Sequence, residues 1–223
     1  MQNSPTYISL IFGLTALLTG FFLYKASHYS KMAGIMLGAF LLVQSLLGIF
    51  HFYETIDGFP PRFPLLIFPA LILIVSLFFT KNGKKYIDSL DIRTLTLLHV
   101  IRIPVEMVLF WLFLHKAVPQ LMTFEGRNWD ILSGLTAPLV YYLFFVKKII
   151  SAKVFIFWNV ICLLLLANIV THAILSTPTF LQQFALEQPN IAIFYFPFNL
   201  LPAFVVPIVL FSHLAIIRKY SNK

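Results

Sequence analysis

Long apolar runs, separated by short polar and often basic connectors, fill this chain from end to end. About 20 predominantly apolar residues suffice for a helix to cross the hydrocarbon core of a bilayer. On that scale the pattern predicts helices over residues 7–24, 33–52, 62–80, 92–115, 131–147, 153–175 and 191–217. Pro60-Pro61 punctuates the start of the third, and Lys81-Asn82-Gly83-Lys84-Lys85 its end. Asn128 or Asp130 stands where a short oxygen side chain could cap the fifth. Before the last run, Thr179-Phe180-Leu181-Gln182 has capping-box spacing and Pro189 supplies a stop, so a short interfacial helix and an ordered loop are both compatible there. The expected fold class is all-α: a polytopic bundle of about seven transmembrane helices, with residues 1–223 forming one transmembrane domain.

Composition supports lipid as the solvent. The chain is 60% hydrophobic and 11% charged over 223 residues, more apolar surface than a soluble core of that size could hide. A net charge of +8 would suit a nucleic-acid partner, but the basic residues are scattered among connectors, which excludes that class. Their distribution carries topology instead. Lys25, Lys31, Lys81, Lys84, Lys85, Arg93, Lys147, Lys148, Lys153, Arg218, Lys219 and Lys223 fall on one side, against Arg62, Lys116 and Arg127 on the other. The positive-inside rule then puts the N-terminus outside and the C-terminus in the cytoplasm, as expected in a bacterial cytoplasmic membrane. No Lys or Arg precedes Lys25, so the first run lacks the basic flank of a cleavable signal peptide and reads as a retained helix. Cys162 is the only cysteine, so an internal disulfide is excluded.

The polar residues inside the apolar runs need a reason. In the fourth helix, His99, Arg102 and Glu106 follow at spacings of three and four, which puts them on one helical face. An ion pair between Arg102 and Glu106 along the helix is expected from that spacing. A charge at mid-bilayer costs at least about 2.5 kcal/mol on insertion scales, so these groups should face the bundle interior. Pro104 lies between them and removes one helical hydrogen bond, leaving the Val100 carbonyl available. The last run carries Pro197, Asn199, Pro202 and Pro207, the composition of a broken helix lining a site. Asn159 and Asn168 suit interhelical hydrogen bonds.

A second group, His51, Glu54, His115 and His172, falls near the outer ends of three helices. Imidazole and carboxylate are metal ligands, so a metal site is possible there if the helix ends converge. The connector 119–130, with Gly126 and Trp129, reads either as an ordered lid over the bundle mouth or as an interfacial anchor. Seven helices with an outside N-terminus are shared by retinal-binding rhodopsins and PQ-loop transporters. The last helix has no mid-span lysine, however, and Pro119-Gln120 has no counterpart in the first half, so neither architecture is assigned.

The leading functional expectation is binding or movement of a small solute or ion through a polar site between the fourth, sixth and seventh helices. Arg102 would contact an anionic group or hold Glu106 ionised, Glu106 would accept a proton or cation, and His99 and Asn199 would support them. One alternative is a membrane-embedded enzyme acting on a lipid or isoprenoid-like substrate, with metal at the outer histidines. Another is a non-catalytic subunit or sensor. The expected partners are the bilayer and a small-molecule or lipid ligand; the pattern specifies no cofactor and no oligomeric state.

Overall fold

The computed structural model describes residues 5–55 and 62–221. Pro60 and Pro61, and Lys223 at the basic end, lie outside the described residues. Among the described residues the fold is all-α with no strand. Its helices are α1 (Thr6–Ala26), α2 (Lys31–Ile49), α3 (Pro64–Phe79), α4 (Lys81–Ser89), α5 (Ile92–Leu98), α6 (Arg102–Leu114), α7 (Ile131–Tyr141), α8 (Ala152–Leu175) and α9 (Val206–Ser221). Five helical stretches are long and apolar enough to span a membrane, or six if the bent pair α3–α4 is one span. The protein is thus a multi-helical membrane protein by length and composition of its helices. The short apolar stretch Ile131–Val146 falls below that length.

The third predicted helix ends at Phe79, next to the expected end at residue 80, but the basic run after it is itself helical. At Thr80 the chain turns by 93° into α4, an amphipathic helix that the basic run Lys81–Lys85 hid as a terminator. Two local features make the turn. The Thr80 hydroxyl accepts the Gly83 N–H at 3.1 Å, capping α4, and Gly83 lies against the Leu77 backbone so closely that a Cβ would stand 2.3 Å from the Leu77 carbonyl oxygen. Asp91 then caps α5, its carboxylate accepting from Arg93 N–H and Thr94 N–H at 3.2 Å each.

Span 92–115 is continuous in direction but not in winding. A tight 3-10 turn, His99–Ile101, joins α5 to α6, which places Pro104 within the first turn of α6, where a missing N–H is tolerated. The last predicted helix departs more. Only a single turn, Ala192–Phe194, forms where it was expected to start, and a wide turn at Leu201–Val205, containing Pro202, leads into α9. Proline cannot donate to the helical ladder, so the backbone loosens there. In the connector before it, Thr179 to Phe184 form turns rather than an interfacial helix. Asp130 holds the N-cap position of α7 without making a side-chain cap bond.

The bundle packs around α5, α6 and α9, whose buried residues include Leu95, Leu98, Val108, Leu112, Phe211 and Ile216. At one end, Asp91 N–H donates to Ala26 O at 2.9 Å, Arg218 pairs with Asp88 at 3.2 Å and Lys219 donates to Leu90 O at 2.8 Å. At the other, Ile191 and Ala192 N–H both reach Ala117 O at 3.1 Å, and Gln188 donates to Val118 O at 2.6 Å. The ends of the elements are therefore tied across the bundle rather than left as free loops.

The bend at Thr80 gives a direct test. Gly83→Ala should lose about 1–3 kcal/mol, because the added methyl meets backbone that cannot move aside. Gly13→Ala, where a Cβ meets nothing within 4 Å, should be neutral or gain about 0.5–1 kcal/mol of helix propensity. Thermal unfolding of both variants in one detergent checks the contrast.

Candidate functional site

Arg102 opens α6 and is 2% exposed. A helical side chain leans toward the helix N-terminus, and Arg102 reaches across the bundle rather than along α6. Its Nη1 donates to Asp130 Oδ1 at 2.5 Å, and its Nη2 donates to His213 Nε2 at 3.0 Å. Gly134 makes room for α7 beside it: a Cβ there would lie 3.3 Å from the Arg102 Cβ. The expected partner, Glu106, is not its ion pair. Local spacing made Glu106 reachable, but the connector brings a second carboxylate to the guanidinium from outside the helix.

The same connector supplies Glu106. Asn128 Nδ2 donates to both Glu106 oxygens at 2.7 Å and to Met122 O at 3.0 Å, while Asn128 Oδ1 accepts Asp130 N–H at 3.0 Å. Asn128 is 1% exposed and Trp129 beside it 60% exposed, so the connector folds inward as a plug with Trp129 on its outer surface. Gly126 permits the fold, because a Cβ there would stand 2.2 Å from Gln120 O.

His213 of α9 completes the cluster. A guanidinium only donates, so the contact at Nε2 makes that nitrogen an acceptor. Its Nδ1–H then donates to Asn159 Oδ1 at 2.9 Å, and Asn159 Nδ2 in turn donates to Phe155 O at 2.9 Å. His213 is a neutral imidazole by this bonding. His99 stacks on it with ring centroids 3.8 Å apart, and Trp158 meets both rings edge-on. Both His99 nitrogens and Arg102 Nε are buried without a hydrogen-bond partner.

Beside the cluster lies a cavity of about 360 Å³. Its walls are Phe63, Ile67 and Leu71 from the α3 side, Val105 and Leu109 of α6, Leu163 to Ile174 of α8, and Leu201 to Leu210 of the last segment. Both α3 and α8 pack on that last segment, which forms the floor of the groove between them. Glu106 and Asp130 line the wall nearest the cluster, and Thr177 and Asn190 are its other polar residues.

Asn199 and the four outer candidates fall outside this cluster. Asn199 donates to Gln44 O at 2.9 Å and packs on Gly48, in a separate network where Tyr53 donates to Gln44 Oε1 at 2.6 Å. The irregular start of the last segment carries it toward α2 and away from Arg102. The outer histidines do not converge with Glu54 as a set. His51 pairs with Glu54, but His115 donates to Trp111 O and His172 to Asn168 O, each at 2.8 Å, one turn back on its own helix. Among the described residues no group of three or more His, Cys, Asp or Glu could hold a metal. The sequence reading missed Asp130, Asn128 and His213 as members of the Arg102 cluster. His213 had a signal, an imidazole inside an apolar run, that went unweighed.

Residues 63–220 match the family model for a domain of unknown function, DUF8737. The chain belongs to that family. The matched region holds the whole cluster and the cavity, and leaves α1 and α2 outside it. No curated protein and no solved structure matches the chain.

The plug predicts a contrast between neighbours. Asn128→Ala should cost about 1–3 kcal/mol, because Glu106 loses the side-chain donor that reaches both its oxygens while staying buried. Trp129→Ala should stay within about 0.5 kcal/mol of wild type in detergent. Thermal unfolding of the two purified variants measures this difference.

Proposed function

We propose that the protein binds a hydrophobic molecule with one polar end, taken from the bilayer into the groove between α3 and α8. The observation that carries this reading is the cavity itself. At about 360 Å³ it lies within the range of small-molecule sites, and its walls are apolar except for a few polar groups at fixed positions. Two buried carboxylates in such a wall suit recognition of a polar end, since ionisable groups in membrane helices are costly and seldom idle. The proposal includes a single bundle crossing a bacterial cytoplasmic membrane seven times, with the N-terminus outside. The gathering of Lys219, Arg218 and α4 at one end supports this orientation. Movement of the ligand across the membrane and chemistry upon it are both further steps from the same binding event.

Two measurements test the proposal. Protein purified in mild detergent should carry a hydrophobic small molecule in near-stoichiometric amount, detectable by mass spectrometry of an organic extract. Ala167→Trp, which fills the exposed rim of the groove, should lose it while unfolding at the wild-type temperature. Equal traces of bulk lipid in both samples would count against the groove. For topology, single cysteines at Gln120 and Gln183 should react with an impermeant maleimide added to intact cells, and one at Lys84 should not; the reverse pattern would invert the orientation.

A further inference from the structure

The groove is unequal in the hydrogen-bonding groups it offers. The hydroxyl and amide donors on its wall are already used: the Thr177 hydroxyl donates to Ala173 O at 2.7 Å, and the Asn190 amide donates to Ala173 O at 3.3 Å and Thr177 Oγ1 at 3.4 Å. Acceptors remain. Asn190 Oδ1 is buried without a partner, and Glu106 and Asp130 are carboxylates. A wall of acceptors suits a ligand that donates or carries positive charge.

Charge narrows the class. Arg102 is the one guanidinium of the cluster, and its ion pair is with Asp130. His213 is neutral by its bonding to Arg102 and Asn159, and neither nitrogen of His99 reaches an acceptor. From the connector, Glu106 meets Asn128 and Asp130; from its own helix, Arg102; α7 and α8 add Ser133, Asn159, Cys162 and the Trp158 ring to the cluster, none of them a cation. No Lys, Arg or His of the described residues forms an ion pair with Glu106. A buried carboxylate without a counter-cation is costly as the anion and is held either as the acid or against a cation.

We infer that the groove takes an amphipathic organic cation, whose positive head replaces a proton on Glu106 while its apolar body lies along α3 and α8. The inference rests on the groove reading above and adds the charge of the ligand. The exchange balances: the Glu106 acid releases one proton to solvent, and its carboxylate then neutralises the bound cation. Affinity for the cation should consequently rise up to tenfold per pH unit while Glu106 is protonated, and level off once it is ionised.

The test uses the full-length protein in nanodiscs of zwitterionic lipid, with empty discs as the blank. Decyltrimethylammonium, whose charge does not titrate, is compared with decanol by calorimetry in two buffers of different ionisation enthalpy, which counts protons released. The expected result is saturable 1:1 binding of the cation, release of up to one proton per cation, and affinity rising with pH. Glu106→Gln should bind the cation at least tenfold more weakly, with no pH dependence. Equal binding of cation and decanol, unaffected by Glu106→Gln, would overturn the charge assignment and leave the groove standing. Absence of proton release by wild type between pH 5 and 9 would also overturn it, and needs no variant to fold. If neither compound binds above the blank, the groove reading falls and this inference with it.

Discussion

A guanidinium inside a bilayer sets the terms for the rest of this molecule. Arg102 cannot be neutralised by losing its proton, and at its depth it cannot be left to lipid. The fold meets that demand from outside the helix: the connector between α6 and α7 turns inward and lays Asp130 on the guanidinium. Much follows from that one fold-back. Asn128 comes in with Asp130 and takes both oxygens of Glu106, His213 of α9 takes the remaining Nη2, and Asn159 of α8 orients His213. Three helices and a connector are thereby tied to one residue at the start of α6.

The same elements shape the groove. Pro202 and Pro207 weaken the ladder of the last segment, and its wide turn forms the floor between α3 and α8. The apolar body of the groove and the charged cluster are adjoining parts of one site, joined at Glu106 and Asp130. In the binding proposed for this groove, the apolar part would contribute affinity and the polar end would decide which ligand stays.

What the sequence makes legible follows from the range of the forces involved. Membrane solubility is set by local composition, so α1, α2, the span 92–115 and α8 are close to where the apolar runs put them. The break at Thr80 is legible in the basic run that follows it, but the turn into α4 is not, because it depends on Gly83 touching the Leu77 backbone rather than on propensity. The start of the last helix is misplaced because a run of apolar residues and prolines suits both helix and irregular backbone. In the site, burial of His99, Arg102 and Glu106 follows from cost alone, and the structure buries all three. Partnership does not: Asp130 and His213 reach Arg102 across 28 and 111 residues of chain, and no spacing rule carries that far. Helical spacing proposed the nearest carboxylate instead. The outer histidines each bond within their own segment, and similar depth does not by itself imply convergence.

Asp130, not Glu106, is the counter-ion of Arg102. A double-mutant cycle of thermal unfolding measures this directly. Arg102→Met and Asp130→Asn should each be strongly destabilising, about 3–5 kcal/mol, because each strands a buried polar partner. The double variant should recover more than about 1 kcal/mol relative to their sum, whereas a cycle of Arg102→Met with Glu106→Gln should show a smaller coupling. Additive losses for Arg102 and Asp130, with strong coupling between Arg102 and Glu106, would make Glu106 the counter-ion instead.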